Sequence, residues 1–469
     1  MSPADATVPR FERAMSDAEG LMWRMEKDPH LSSTFANVTV LDRPVDFDRL
    51  LRRLERAVYA IPRLHQRVQS TPANISPPMW VDDPNFDLHH HVRHLALPAP
   101  GSMRQLLDLA SLLTADAFDR TRPLWQFVAV DGLEGGRGAL IEKFHHTLVD
   151  GEAGVQLSMQ FLDLERTPDE PPPLDPDLIA AAREAQHDGA PFDMLRDMIA
   201  GSFRMPIGVM RQVRDLLGDP GQIPDAGAAA ADALRTVVQQ LAESDASRSP
   251  LWTTRSRRRR MEVLRAPFGA TRDAARRLGG TLNTAFLTCA ADAAGRYHRE
   301  LGAPVPELRA SMAISTRNDD SGANAFSLAK MLVPTAEMTV EERFSAIQRI
   351  AEGARSTGTA ASLDSLAAFA GTLPTSVITR IARQQAHTVD FATSNVRGAP
   401  IPLYVAGARL EANYPLGPLG GVAFNLTLLS YDHSLDMGVN IDAAAVTEPE
   451  LLRTCLEGAF EDLTSVAAD

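Results

Sequence analysis

Two adjacent histidines, His145 and His146, are followed after three residues by Asp150 and Gly151. An imidazole titrates near neutral pH, so a histidine so placed can take a proton from a hydroxyl or an amine as a general base. Gly138-Ala139-Leu140-Ile141 precedes the pair. A short apolar run bounded by glycine reads as a buried strand. The histidines then stand where the strand ends, and Gly151 permits the chain to turn. Asp150 is placed to fix the loop by turning inward onto an arginine rather than to touch the ring. A buried histidine pair bonded to backbone fits the same spacing, so spacing alone leaves both readings open.

Other catalytic signatures are missing. The sequence has no Gly-x-Ser-x-Gly elbow, no phosphate loop ending Gly-Lys-Ser/Thr and no His-Glu-x-x-His. Gly136-x-Gly138 lacks a third glycine and precedes a strand, so it is not a dinucleotide site. A base without an evident side-chain nucleophile points to direct transfer. The histidine deprotonates an incoming hydroxyl or amine, which attacks an activated acyl group, and a donor must meet the developing oxyanion.

The elements that would hold these groups alternate along the chain. Ser16-Asp17-Ala18-Glu19 is a capping-box helix start. Asp46 to Ile61 carries apolar residues at helical spacing. Trp80 to Leu97 reads as a strand containing His89, His90, His91 and His94. His89 and His91 share one strand face, so a metal site would need ligands from elsewhere, and a half-buried strand is the stronger reading. Helix is expected over Gln105 to Phe118 and strand over Pro123 to Val130. Thr167 to Pro176 is rich in proline and acid, a stiff linker and domain boundary. Phe192 to Leu217 is an amphipathic segment that suits a lipid surface, but Pro206 and Gly208 favour a helix packed on the other domain. Arg255 and Arg257 to Arg260 form a basic run, ordinarily a solvated face, with the phosphates of a nucleotide-bearing cofactor as the alternative partner. Thr281 caps an Ala-rich helix, and strands and helices continue to alternate to the closing helix at Pro449 to Leu463. Such alternation in both halves argues α/β layering.

Size and charge bound the function. A chain of 469 residues accommodates two or three domains. Its net charge of −13 argues against nucleic acid as a partner. Cys289 and Cys455 alone support neither a disulfide framework nor a cysteine zinc site, which fits a reducing compartment. The polar, acidic start from Ser2 to Asp5 does not read as a signal peptide, and no apolar run reaches the ~18 residues of a spanning helix. The expectation is a cytoplasmic protein, soluble or peripheral to a membrane.

His145-His146-x-x-x-Asp150-Gly151 after a strand, with Pro123-Leu124-Trp125 about twenty residues earlier, resembles the bacterial wax ester synthase/diacylglycerol acyltransferase family. That family lies within the chloramphenicol acetyltransferase-like superfamily of CoA-dependent acyltransferases. The Ser16 to Glu26 segment, Phe86-Asp87 with His91-Val92-Arg93, Pro306 to Arg317, Asn395-Val396-x-Gly398, Tyr414-Pro415-x-Gly417-Pro418, Asn425 and the stretch from Tyr431 to Asp442 also fit. The resemblance spans almost the whole chain. The central motif occurs throughout the superfamily, whereas the combination is more specific.

The resemblance implies an α/β fold of two chloramphenicol-acetyltransferase-like subdomains, each a mixed β-sheet flanked by helices, with a tunnel between them. Residues 1–166 and 261–469 would form the subdomains, joined by a crossover over 167–260. It implies His146 as general base, His145 supporting and Asp150 structural. Asn283 would help hold the oxyanion or substrate, and Glu26 would lie near the site. Asn395 and Gly398 would form a structural turn. Pro123 and Trp125 would shape the acyl pocket, with plain core an equal reading for Trp125. No bound cofactor or metal is expected. Acyl-CoA is the co-substrate, and diacylglycerol or a long-chain alcohol the acceptor, met at a membrane or lipid-droplet surface. Thr284, Arg397 and His433 depart from the family's aspartate, proline and glycine. A carrier-dependent condensation domain and a weakly catalytic lipid-coating protein are the alternatives.

Overall fold

The structure is a computed structural model that describes residues 13–70, 77–148, 154, 157–158, 160–169, 247–315, 326–356 and 375–466. Asp150, Gly151, the proline-rich stretch from 170 and the amphipathic segment 192–217 lie outside the described residues.

The first sheet is centred on β1 (Thr34–Leu41), fourth of seven strands. On one side it pairs antiparallel with β6 (Arg137–His145), which pairs in turn with β5 (Trp125–Leu133) and then β4 (Val92–Ala96). The register sets Phe35 opposite Phe144, Asn37 opposite Glu142 and Thr34 opposite His145. Alternation then sorts the side chains. Ala36, Val38 and Val40 face α4 (Met103–Ala115) through Leu106, Leu107 and Ala110. Phe35, Asn37 and Thr39 face the other way, toward the side covered by α2 (Phe47–Ala60), whose Leu50, Leu54 and Val58 are buried. A single-residue slip would exchange the two faces, so burial of the α4 side pins the register.

The predicted caps form. Ser16 Oγ accepts from Glu19 N–H at 3.2 Å and Glu19 Oε2 from Ser16 N–H at 2.9 Å, starting α1 (Asp17–Met25). That helix ends at Glu26. The expected strand around His89 to His91 is instead one helical turn, α3 (Leu88–His91), followed by β4. Asp87 is the reason: its carboxylate accepts from His89 N–H at 3.0 Å, an N-cap that competes with extension.

The second sheet runs β10 (Phe326–Pro334), β9 (Glu307–Ser315), β11 (Phe391–Arg397), β14 (Phe424–Tyr431), β15 (Ser434–Asp442) and β8 (Arg259–Pro267). It packs against α6 (Leu282–Glu300) and α9 (Pro449–Ser465); α5 (Phe268–Arg277), α7 (Val340–Ser356) and α8 (Thr375–His387) complete this half. Helix α6 is buried without a break from Thr284 to Gly295, and its Asp292 is paired with Arg296 and Arg343.

The sheets do not divide where the chain does. Strands β12 (Tyr404–Val405) and β13 (Ala408–Leu416) leave the second half and join the first sheet, with β7 (Leu162–Asp163) beyond them. β13 lies against β1, with Asn413 opposite Thr39 and Pro415 opposite Asn37. Strands β12 and β13 both fall within the expected C-terminal subdomain 261–469 and nonetheless belong to the first sheet. β13 also crosses β15 closely: a Cβ at Gly438 would lie 2.1 Å from the Pro415 carbonyl oxygen, so only glycine fits there.

The hairpin from β14 to β15 turns through Asp432 and His433, at φ 39° and 68°. Both angles are left-handed, which L side chains resist, and this is why glycine suits position 433. His433→Gly is expected to stabilise the fold by ~1 kcal/mol, read as a higher Tm in thermal melts; an unchanged or lower Tm contradicts a strained turn.

Candidate active site

β6 delivers its two histidines into different surroundings. His145 is 1% exposed. Its Nδ1 accepts from the Thr147 backbone N–H at 3.2 Å and lies 2.8 Å from Thr147 Oγ1. The N–H donor assigns the ring proton to Nε2, which donates to Glu26 Oε2 at 3.0 Å. Both ring nitrogens are thus committed. Glu26 also accepts from Ser32 Oγ at 2.6 Å and Ser33 N–H at 2.8 Å. Burial pushes its pKa up, but the bond and charge of His145 with the two serine donors outweigh that, so the carboxyl titrates below its ordinary range.

His146 is only half-buried. Its backbone N–H donates to the Ser33 carbonyl at 3.1 Å, and its ring lies 4.6 Å from the Phe35 ring. Phe35 stacks on Phe144 at 5.7 Å. The same segment, Ser32 to Phe35, therefore holds Glu26 against one histidine and gives the other its aromatic wall.

The face that carries Phe35 is partly open. Phe35, Asn37 and Asn413 are each half-buried although β1 lies in the middle of the sheet. Each of these side chains keeps part of its surface in reach of solvent. Asn37 Nδ2 donates to Glu142 Oε2 at 3.1 Å and to Thr39 Oγ1 at 3.2 Å. Thr39 Oγ1 donates to Asn413 Oδ1 at 3.2 Å. Burial raises the Glu142 pKa to about 7, against the opposing hydrogen bond from Asn37. Lys143, on the other face, is pulled down to about 8 by burial; its Nζ donates to the Asp116 carbonyl at 2.7 Å over the Phe118 ring. Neither residue is among those to which the sequence points. The available signal was a Glu-Lys pair inside a strand with apolar neighbours on both faces.

The other expected site residues fall into separate groups. Asn283, in the first turn of α6, accepts at Oδ1 from Asn395 Nδ2 on β11. Gly398 N–H donates to Ser430 Oγ at 3.3 Å, and a Cβ at Gly398 would lie 2.4 Å from the Ser430 carbonyl oxygen. Both observations suit a structural turn. Thr284 is engaged in the helix start, where its N–H donates to Thr281 Oγ1 at 3.3 Å. Trp125 belongs to the core: it is 1% exposed, Nε1 donates to the Leu64 carbonyl at 2.7 Å, and its ring stacks on His91 at 4.6 Å. Pro123 is buried beside it. His91 lies 2.8 Å by Nδ1 from the Trp125 carbonyl, and burial lowers its pKa to about 4, so it acts as a neutral core residue. In the basic run, Arg255 Nε donates to the Gly421 carbonyl at 2.7 Å and Arg260 pairs with Glu262 at 2.8 Å, whereas Arg257 and Arg258 are exposed.

Comparison with known proteins gives a consistent set of likenesses. Residues 15–286 match the model of the wax ester synthase/diacylglycerol acyltransferase catalytic domain, and residues 322–464 that of the WS/DGAT C-terminal domain. A Mycobacterium tuberculosis protein named for diacylglycerol O-acyltransferase activity is 31% identical over 98% of this chain and 93% of its own. Among solved structures, the wax ester synthase/diacylglycerol acyltransferase from Marinobacter aquaeolei superposes with a TM-score of 0.66 at 21% identity, covering 97% of this chain and 100% of that one. The starter condensation domain of rhizomide synthetase, solved with C8-CoA, superposes at 0.53 and 14% identity over 97% and 95%. These structural likenesses establish the two-subdomain, chloramphenicol-acetyltransferase-like fold.

The geometry at Glu142 predicts a pH dependence. Its carboxyl moves from an ordinary 4.5 to about 7 on folding. The folded state therefore holds more protons than the unfolded one between those values, and stability falls as pH rises through that window. The contribution is on the order of 3 kcal/mol, present below pH 4.5 and lost above 7. Glu142→Gln is expected to flatten this slope in urea unfolding at pH 5 and pH 8. A variant as pH-sensitive as the parent would mean that Glu142 ionises freely.

Proposed function

Because the chain belongs to the wax ester synthase/diacylglycerol acyltransferase family and is an acyltransferase, we propose that it moves a long-chain acyl group from acyl-CoA to diacylglycerol or a long-chain alcohol. One observation carries the assignment of roles. His145 is sealed with both nitrogens engaged, while His146 stands at the head of the open face. His146 is therefore the base.

In this reaction His146 takes the proton of the acceptor hydroxyl as that oxygen attacks the thioester carbonyl. A C–O bond forms, the C–S bond breaks, and the imidazolium returns the proton to the departing thiolate. No acyl-enzyme forms. His145 is a positioning residue: the Glu26 carboxylate holds it, and the turn through Thr147 then presents His146. Asn283 with Asn395 holds substrate or oxyanion from the second half. Among the described residues no helix is long and apolar enough to cross a membrane. Contact with the acceptor's lipid surface is accordingly peripheral, with the crossover over 167–260 linking two acyltransferase subdomains.

The experiment incubates purified protein with labelled palmitoyl-CoA and either hexadecanol or dioleoylglycerol. Ester product is expected with a free lipid acceptor. Product only with a carrier-bound substrate would select a condensation reaction, and binding without product a lipid-coating role. His146→Ala is expected to lower turnover by ~10²–10⁴ while melting like the parent; near-normal turnover removes His146 from the chemistry. Glu26→Gln is expected to lower kcat with little change in KM, since it disturbs orientation rather than binding.

A further inference from the structure

The loop from α4 to β5 carries an arginine that the transfer chemistry leaves unused. Asp119 folds this loop into a turn: its carbonyl accepts from Arg122 N–H at 3.2 Å, and its carboxylate accepts from Thr121 N–H at 2.9 Å and Thr121 Oγ1 at 2.7 Å. A short carboxylate that bonds the backbone two residues on makes such a turn stiff. Arg120 lies inside it. Its guanidinium sits 3.6 Å from the centre of the Trp23 ring, and Nη2 donates to the Trp23 carbonyl at 3.1 Å. Trp23 is in turn buried, with Nε1 donating to Ser70 Oγ at 2.9 Å. A fixed arginine thus grips a fixed ring.

The grip falls on the last turn of α1. In a continuing helix the Trp23 carbonyl would accept from the N–H four residues on, that of Lys27. Lys27 N–H instead donates to the Arg24 carbonyl at 3.3 Å, so the Trp23 carbonyl is one of the orphans of the helix end. Arg120 fills that place, and a cation is favoured there because the helix dipole is negative at its C-terminus. Glu26 is the C-cap of the same helix, and its N–H donates to the Met22 carbonyl at 3.1 Å. From Trp23 to Glu26 is under one turn, about 4.5 Å along the axis. Anchoring the one sets the height of the other. The charges agree with this: burial lowers the Arg120 pKa, and attraction to Glu26 opposes the fall. Lys143, whose Nζ rests on the Asp116 carbonyl of the same loop, is a second cation that Glu26 attracts.

The Glu26 carboxylate takes its direct bonds from His145, Ser32 and Ser33. Those donors come from β6 and from the segment leading into β1, so the carboxylate meets all three only if the end of α1 stands at the right height. We propose that Arg120 is a positioning residue for the transfer reaction: by capping α1 at Trp23 it holds the Glu26 carboxylate where it meets His145 Nε2. It touches neither substrate nor the reacting atoms, and it acts on His146 only by way of Glu26 and His145. The inference rests on the transfer reaction proposed above and adds a residue to the chain of contacts that orients its base.

Arg120→Met and Arg120→Lys test this in the full chain, each made in the parent and in Glu26→Gln. Methionine keeps an unbranched stem over Trp23 and removes the charge and the donors, whereas lysine keeps the charge and loses the planar fork. Rates are measured with labelled palmitoyl-CoA and the acceptor that the parent esterifies, well below each variant's Tm. Arg120→Met is expected to lower kcat about tenfold, because a small misplacement of an orienting group is felt in the chemical step. Both KM values are expected to stay within about twofold of the parent's. Arg120→Lys is expected to recover part of the loss. In Glu26→Gln, Arg120→Met is expected to add less than about twofold, since the group it positions has gone. A parental kcat with only a lower Tm overturns the inference, as does a rise in KM alone or a full further loss in Glu26→Gln. If Arg120→Met does not fold, Arg120→Lys in the two backgrounds makes the same comparison. The Nε2 proton of His145 gives a readout without turnover, by NMR of ¹⁵N-histidine-labelled protein with His145→Asn to assign it. It is expected to exchange with water slowly in the parent and faster in Arg120→Met. Ester formation by the parent with kcat and proton exchange unchanged in the variants sinks the positioning role alone. A parent that forms no ester while the proton responds to Arg120→Met sinks the transfer reading alone.

Discussion

The hydrogen bond between Glu26 and His145 is the constraint on which the site depends. It ties the end of α1 to the end of β6 and uses the one nitrogen of His145 that the Thr147 turn leaves over. The same carboxylate collects Ser32 and Ser33, the residues that lead into β1. A charge removed from water is tolerated only when donors surround it, and here three do. Their number is what keeps the carboxyl ionised despite burial. Because Ser33 also receives the His146 backbone N–H, the position of the second ring follows from the anchoring of the first.

The sheet adds a different kind of order. Its α4 side is apolar around Ala36, Val38, Val40 and Ile141, which fixes the pleat, and its other side is graded. Moving along β1 from the base, aromatic rings give way to amides and a carboxyl. Such a gradient suits a molecule that is polar at one end and greasy at the other. Lys143, buried on the opposite face, and Glu142 are adjacent in sequence, yet alternation keeps them from neutralising each other. Each answers to its own surroundings, and so the carboxyl rises and the ammonium falls toward neutrality.

Much of this was legible in the residues because it is local. The capping box at Ser16 and the Thr281 cap need only neighbours within one turn, and both form. The strand into His145 announced itself by an apolar run between glycines. The helical turn at Leu88–His91 is not legible in the histidines themselves, because its cause, Asp87, lies before them and competes with a strand pattern that begins again at Val92. The departure at His433 shows in the resemblance, and the left-handed angles of the turn give it its meaning. Trp125 could be core or pocket wall from sequence. Only the stacked His91 and the Leu64 carbonyl decide it, and they lie 34 and 61 residues away. Nothing near Asn413 reveals that its strand belongs to the other half's sheet, since pairing of that range leaves no mark on composition.

That borrowed strand has a consequence for how the protein is made. The gap from His145 to Leu416 is 271 residues (416 − 145). At the pace of translation this separates their emergence from the ribosome by some tens of seconds. Until β13 arrives, the backbone of β1 has an open flank, and any other nascent copy carrying the missing ribbon could occupy it. For that window, pairing of β1 with its own β13 has yet to close the flank, and the order of synthesis rather than sequence decides which ribbon is at hand.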